Sequence, residues 1–390
     1  MKGLEIPEQG EDYTADPVEL FFDLAFVFAY SQLVGLLITE PDWTGVGKAA
    51  LIFMLLWLPW SQMTWAANAV PGNARNTRVI FLVATAASVP MAASVTTAFD
   101  DGGPLLAIPL AFITLMGLTM VVLAARGRDV AMRTAVRYSI PVAIGMGIIV
   151  VGSFLDDQLR VAAWLVGLAF FTFSAFGAGG GEWTMRAGHF AERHGLIIIV
   201  ALGEVIVATG KPLVDSLEEG AGIPAESAIA LTAAGGFACL LWWAYFDRPQ
   251  RAFEARAEGI ELSSERAQYA RDVYTFAHAP IVAGIVAAAA ALEEIVLHPS
   301  DPLPLSFRMM ALGGGALYAL GIAIGTLRSY RVLPRERMMA FGLVAVLLIA
   351  GGDIDGVWLI VAMNLILIAA LVIEHLRIEV RPAHEAQLNN

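Results

Sequence analysis

Cysteine and charge are both scarce in this chain, and each shortage excludes a class of protein. Cys239 is the only cysteine in 390 residues, so neither an intramolecular disulfide nor a multi-cysteine metal site is available. Charged residues make up 15% of the chain, well below the share of about 25% in soluble domains. The net charge of −12 argues against nucleic acid as a partner. The acidic N-terminus has Lys2 as its single base, so it lacks the basic region of a signal peptide.

Apolar residues dominate instead. They make up 58% of the chain and form runs of about 20 residues, the length needed to cross about 30 Å of hydrocarbon. The runs predict an all-α fold, a polytopic transmembrane helix bundle of about 12 spans in a lipid bilayer. We place the spans at about 18–39, 46–67, 78–98, 104–125, 138–155, 160–177, 195–214, 226–246, 273–292, 307–327, 338–352 and 356–375. The tight turn at 351–356 leaves ten or eleven spans open.

Basic residues give the predicted orientation. Nineteen of the 24 Lys and Arg follow even-numbered spans or lie in the C-terminal tail. Because basic residues concentrate on the cytoplasmic side, both termini are expected in the cytoplasm.

The two halves of the sequence resemble each other. Spans 1 and 7 each carry an acidic residue, Asp23 and Glu204, and spans 3 and 9 each contain a proline, Pro90 and Pro280. We therefore predict two six-helix repeats, between which transporters often bind substrate. The resulting division is an acidic cytoplasmic tail (1–17), a first half (18–177), a cytoplasmic connection (178–194), a second half (195–376) with a cytoplasmic loop (247–272), and a cytoplasmic tail (377–390).

Glu19 and Asp23 are four residues apart and therefore share a helix face. A carboxylate inside a membrane span is costly and usually faces a partner or a water-filled path. Glu19 has a simpler explanation as an N-terminal charge that favours the helix dipole. For Asp23 the structural alternative is a buried ion pair with Arg75, Arg78 or Arg186.

Glu204 lies deeper, about 14 Å along its helix from Gly195 at 1.5 Å per residue. A carboxylate that takes up a proton at this depth is a reasonable proton-coupling group. A structural hydrogen bond is the equal alternative for Glu204.

Other polar residues complete the candidate set. His278 precedes Pro280 in span 9, and we include it because an unperturbed imidazole titrates near neutral pH. Asn68 supplies either a packing bond or a path-lining group, and Glu192 and Asp247 are further ion-pair candidates. The sequence contains no metal-ligand spacing such as H-E-x-x-H and no nucleophile elbow, so we expect no metal, no cofactor and no enzyme activity.

Five segments carry a recognisable pattern: ELFFDLAFVF (19–28), WSQMTWAAN (60–68), ERHGLIIIVALGE (192–204), WWAYFD (242–247) and YTFAH (274–278). In these segments the chain resembles the bacterial low temperature requirement A family, from about residue 13 to residue 376. It departs from the family at His194, where Phe is common, and at Val205, where a small polar residue is usual. The resemblance implies a multi-span protein of the bacterial cytoplasmic (inner) membrane linked to growth in the cold, without an established activity.

Two functional hypotheses follow. The first is a secondary transporter of a small solute, with Glu204 and Asp23 as the leading candidates for the substrate or proton-coupling groups. Glu19, His278 and Asn68 are the next candidates. The alternative is a non-transporting membrane scaffold or stress-adaptation protein whose polar residues pack helices. The solute, the coupling ion and the oligomeric state stay open.

Overall fold

The computed structural model describes residues 15–70, 74–178, 181–218 and 222–388, and α-helix dominates them. The helices are α1 (Pro17–Thr39), α2 (Trp43–Asn68), α3 (Arg75–Ala93), α4 (Gly103–Ala124), α5 (Asp129–Gly152), α6 (Asp157–Ala178), α7 (Ala187–Glu218), α8 (Ala225–Phe246), α9 (Pro249–Glu258), α10 (Ser263–Ala270), α11 (His278–Leu297), α12 (Leu305–Tyr330), α13 (Arg335–Ala350) and α14 (Gly356–Leu388). A 3-10 turn (Val95–Thr97) follows α3, and a π-helix (Arg271–Ala277) joins α10 to α11. The predicted all-α bundle is confirmed.

Within the described residues, eleven helices are long and apolar enough to cross a membrane. The eleventh predicted span, 338–352, falls on α13. This helix has 16 residues and is therefore about 24 Å long at 1.5 Å per residue, short of the usual 30 Å of hydrocarbon. The exact span count stays a prediction.

The chain divides into two compact units, the first comprising Met1–Ala201 with Gln250–Ala279 and the second Leu202–Pro249 with Pro280–Asn390. The segment 250–272, assigned from the sequence to the loop of the second half, groups with the first unit and is largely helical. The predicted six-helix repeats stay a prediction.

In the first unit α5 and α6 form a hairpin, and glycines allow the two helices to pack closely. A Cβ atom on Gly145 would lie 2.7 Å from the Gly167 carbonyl oxygen, and one on Gly152 would lie 2.5 Å from the Ala163 Cβ. Both distances are too short for a Cβ atom. The two helices can therefore approach this closely only because glycine has no side chain. Elsewhere in this unit α1 packs on α2 and α3, and α4 packs on α2 and α3.

A buried ion pair joins three helices of the second unit. Arg337, at the start of α13, places its Nε 2.7 Å from Glu374 Oε2 on α14. Its Nη1 donates to the Ala244 carbonyl at the end of α8. Both charged side chains are buried, so the pair ties the start of α13 and the end of α8 to the middle of α14.

Candidate functional site

Glu19 and Asp23 lie in the first two turns of α1. The helix starts here because the Asp16 carboxylate accepts the Val18 amide N–H at 3.1 Å, and Pro17 fills the first helical position, where no N–H is needed. The Glu19 carboxylate accepts the Asp16 amide N–H at 3.4 Å, completing a capping box. Glu19 and Asp23 are each only 1% exposed. The start of α1 therefore buries two carboxylates in a membrane-spanning helix.

Arg193 of α7 lies between these carboxylates. Its Nη2 donates to Asp23 Oδ1 at 2.9 Å, and its Nε lies 3.5 Å from Glu19 Oε2. The guanidinium is fully buried. One cation therefore faces two anions, and losing it would leave buried charge uncompensated.

His189, one turn earlier on α7, extends the group. Its Nε2 lies 3.0 Å from Glu19 Oε2, and its Nδ1 lies 3.0 Å from Asn68 Nδ2. The Asn68 oxygen accepts the Arg186 backbone N–H at 2.6 Å, so the amide nitrogen, which only donates, faces His189. His189 Nδ1 is then the acceptor, and its Nε2–H donates to Glu19. We call Glu19, Asp23, His189 and Arg193 the acidic cluster.

Trp60 of α2 covers Asp23. Its Nε1 donates to Asp23 Oδ1 at 2.8 Å, and the Arg193 guanidinium carbon lies 5.8 Å from the centroid of its ring, within cation–π range. Asp23 Oδ2 and Arg193 Nη1 have no hydrogen-bond partner among the described residues. The acidic cluster thus keeps one acceptor and one donor for a further group.

Two more imidazoles lie in the same unit. His194 Nδ1 donates to the Phe190 carbonyl at 2.9 Å, and His278 Nδ1 donates to the Val273 carbonyl at 2.8 Å. Their ring centroids are 5.1 Å apart, and both rings are buried. The hydrogen bonds to backbone carbonyls fix each ring with its proton on Nδ1.

The backbone before α11 is not regular α-helix. Residues Arg271–Ala277 are π-helical, and Pro280 follows with no N–H to donate to the preceding turn. In this stretch the Thr275 carbonyl accepts the Trp57 Nε1–H at 2.8 Å, and the Thr275 hydroxyl accepts the Trp65 Nε1–H at 3.0 Å. Single π turns of this kind are frequent at functional sites.

A small cavity lies against α2. The volume of this cavity is about 40 Å³, which is room for about three waters. Its wall includes Ser61, Gln62, Trp65, Tyr138, Trp183 and Thr275. Trp60 and Ser61 are consecutive residues of α2 and project about 100° apart, so the acidic cluster and the cavity lie on different sides of this helix.

One sequence family covers most of this chain. Residues 14–373 match the family described as Bacterial low temperature requirement A protein (LtrA). The chain belongs to the LtrA family. Uncharacterized protein RA0937 of Rhizobium meliloti (strain 1021) is 28% identical over 335 residues, covering 83% of this chain and 80% of that protein. No solved structure matches the chain. LtrA membership and the apolar helices identify an integral membrane protein.

In this LtrA protein the arginine partner of Asp23 differs from the prediction. Arg75 is exposed at the start of α3. Arg78 pairs with Asp16 at 2.7 Å, and Arg186 Nη2 donates to a backbone carbonyl, that of Ala67, at 3.1 Å. Arg193 fills the place instead, because α7 brings it against the face of α1 that carries both carboxylates.

Arg193 was missed because the apolar run of span 7 begins at Gly195, which put all earlier residues in the connection 178–194. The helix starts at Ala187, and most side chains of its first two turns are buried. Their polar residues tolerate burial because α1 supplies the matching carboxylates. A signal was present: His189 and Arg193 share a helix face at the same four-residue spacing as Glu19 and Asp23.

The remaining predicted residues divide between the two units. In the first unit Asn68 contacts the acidic cluster, His278 lies beside His194, and Glu192 Oε2 accepts the Ala15 amide N–H at 2.6 Å.

In the second unit Asp247 pairs with the adjacent Arg248 at 3.0 Å. Glu204, also in this unit, is 2% exposed on α7, and its role in proton coupling stays a prediction.

Proposed function

We propose that this LtrA protein is a proton-linked secondary transporter of a small solute, with the acidic cluster as its proton-binding centre. The observation that carries the proposal is the placement of two carboxylates, one guanidinium and one imidazole together inside membrane-spanning helices. Ionisable groups at such positions are costly and mark ion and proton pathways in many membrane proteins.

Charge arithmetic supports a proton-binding role. With both carboxylates ionised, Arg193 charged and the His189 ring carrying one proton, the acidic cluster has a net charge of −1. One added proton brings it to zero. The two states therefore differ by a full charge inside the membrane, which is the kind of difference that couples proton binding to a conformational change.

The surroundings of the acidic cluster also favour transport over simple helix packing. Asp23 Oδ2 and Arg193 Nη1 are buried without a partner among the described residues. Each unpaired buried polar group costs about 1–3 kcal/mol, so a solute or a proton that pairs with these atoms would be stabilised here. The cavity on α2, in the same unit, supplies a place for a solute.

Proton flux in proteoliposomes tests the proposal. The purified protein is reconstituted with a pH-sensitive dye inside the vesicles, and a panel of small solutes is added outside. We expect at least one solute to evoke proton movement, and Asp23→Asn or Glu19→Gln to abolish it. Asp247→Asn is the matched control, because it removes a carboxylate that is paired at the surface with Arg248, and it should retain the flux.

Two results would count against this function. If the wild-type protein moves no proton with any solute of a broad panel, the non-transporting scaffold becomes the better explanation. If flux occurs but survives in both cluster variants, the proton-binding centre lies elsewhere, and Glu204→Gln then tests the alternative position.

A further inference from the structure

Gln62 is the unusual residue of the cavity beside α2. It is 1% exposed, and both its Nε2 and its Oε1 lack a hydrogen-bond partner among the described residues. The neighbouring polar groups bond to one another instead: Trp65 Nε1 donates to Thr275 Oγ1 at 3.0 Å, and Ser61 Oγ lies 3.0 Å from the same oxygen. A buried carboxamide with donor and acceptor both unused is unfavourable unless a further group pairs with it.

The wall of the cavity is balanced in charge. Arg271 lines it, and its Nη2 and Nε donate to Asp272 Oδ1 at 2.6 and 2.8 Å. The guanidinium carbon also lies 4.7 Å from the centroid of the Phe176 ring. Since Asp272 already matches this positive charge, the cavity favours an uncharged ligand.

The size and shape of the cavity narrow the class of ligand further. Space for about three waters corresponds to about 90 Å³ of liquid, enough for a solute of about four to six non-hydrogen atoms. Trp183 meets the Trp65 ring at 5.6 Å and the Tyr138 ring at 5.4 Å between centroids, which gives one side an apolar, aromatic surface. On α4, Gly117 leaves room for the Gln62 amide: a Cβ atom there would lie 2.5 Å from Gln62 Oε1.

We propose that this cavity is the solute site and that Gln62 selects an uncharged solute with a donor and an acceptor side by side. A primary carboxamide, a urea or an undissociated carboxylic acid presents this edge and forms two hydrogen bonds with the Gln62 amide. A carboxylate offers two acceptors, one of which would face the Gln62 oxygen. The claim that this ligand is transported rests on the proposed function. Binding of the ligand in the cavity can be tested without transport.

The test uses three probes of nearly equal shape: acetamide, acetone and acetate. A single reporter thiol is placed in the wall with Ala175→Cys in a Cys239→Ser background, which removes the native cysteine. The rate of modification by methyl methanethiosulfonate is measured in membranes without a proton gradient. We expect acetamide at high millimolar concentration to slow modification about threefold or more, and acetone and acetate to have little effect, since a site built for a hydrogen bond rejects analogues that lack it.

Two variants on different helices test the role of Gln62. Gln62→Leu removes the amide. Gly117→Ala, on the neighbouring helix α4, adds a Cβ atom that pushes the Gln62 amide out of its place. Both should leave the reporter thiol reactive and remove the protection by acetamide. Three results would each overturn the proposal: equal protection by all three probes, no protection by acetamide, or a reporter thiol that never reacts. The first two results require no Gln62 variant. Protection without proton flux would leave the site standing and refute the coupling, whereas flux without protection would refute the site alone.

Discussion

Replacing Arg193 with methionine removes the guanidinium that lies between Glu19 and Asp23. At an effective dielectric constant of about 20, contacts of 2.9 and 3.5 Å correspond to attractions of about 6 and 5 kcal/mol. Most of this offsets the cost of burying the charges, and the measured penalty for breaking such a pair is about 3–5 kcal/mol. At about 2 °C per kcal/mol, the Tm should fall by roughly 6–10 °C.

The assay is thermal unfolding of the detergent-purified protein, followed by intrinsic fluorescence. The matched control is the triple variant Glu19→Gln, Asp23→Asn, Arg193→Met, in which no charge is left without its partner. Because replacing a whole buried ion pair by neutral groups is often close to neutral in stability, the triple variant should recover most of the lost Tm. A single variant within 2 °C of wild type, or a triple variant less stable than the single one, would refute the buried network.

Two further predictions concern packing. Trp57→Phe removes the hydrogen bond to the Thr275 carbonyl and should cost about 1–3 kcal/mol, seen as a fall in Tm, whereas the same change at the exposed Trp243 should have little effect; equal shifts would contradict the assignment. Gly314→Ala would place a Cβ atom 2.7 Å from a facing backbone oxygen and should lower the Tm by a few degrees, at about 1–3 kcal/mol for overpacking. At Gly313 a Cβ atom meets nothing within 4 Å, so Gly313→Ala should be neutral or stabilising, and a loss of stability there would show that helix–helix contact is not the cause.

Much of the fold is predictable because the bilayer imposes a simple rule on composition. Apolar runs of the right length must be helical, since their backbone groups have no other partner in hydrocarbon. The pairing of Glu19 with Asp23 on one face follows from spacing alone. A rule based on the length of apolar runs fails where charged residues belong to a membrane-spanning helix. For this reason neither the start of α7 nor the burial of Arg193 was predicted.

Other features depend on contacts that no local pattern reports. The π-helix at Arg271–Ala277 has no periodic signature of its own, because seven residues are too few to establish a period. The unpaired amide of Gln62 is visible only once Trp65, Ser61 and Thr275 are seen to bond to one another. Such features require the neighbouring helices, which sequence spacing does not place.

The orientation of the Asn68 amide gives the acidic cluster a direction. A carboxamide donates and accepts hydrogen bonds but neither gains nor loses a proton near neutral pH. Asn68 holds the far side of His189, so the chain of hydrogen bonds from Glu19 ends there in a group that cannot pass a proton on. Under the proposed function, a proton therefore enters and leaves the acidic cluster on the side of Asp23 and Arg193, where an acceptor and a donor lack partners among the described residues. In that proposal the acidic cluster stores a proton and does not pass it through to the His189 side.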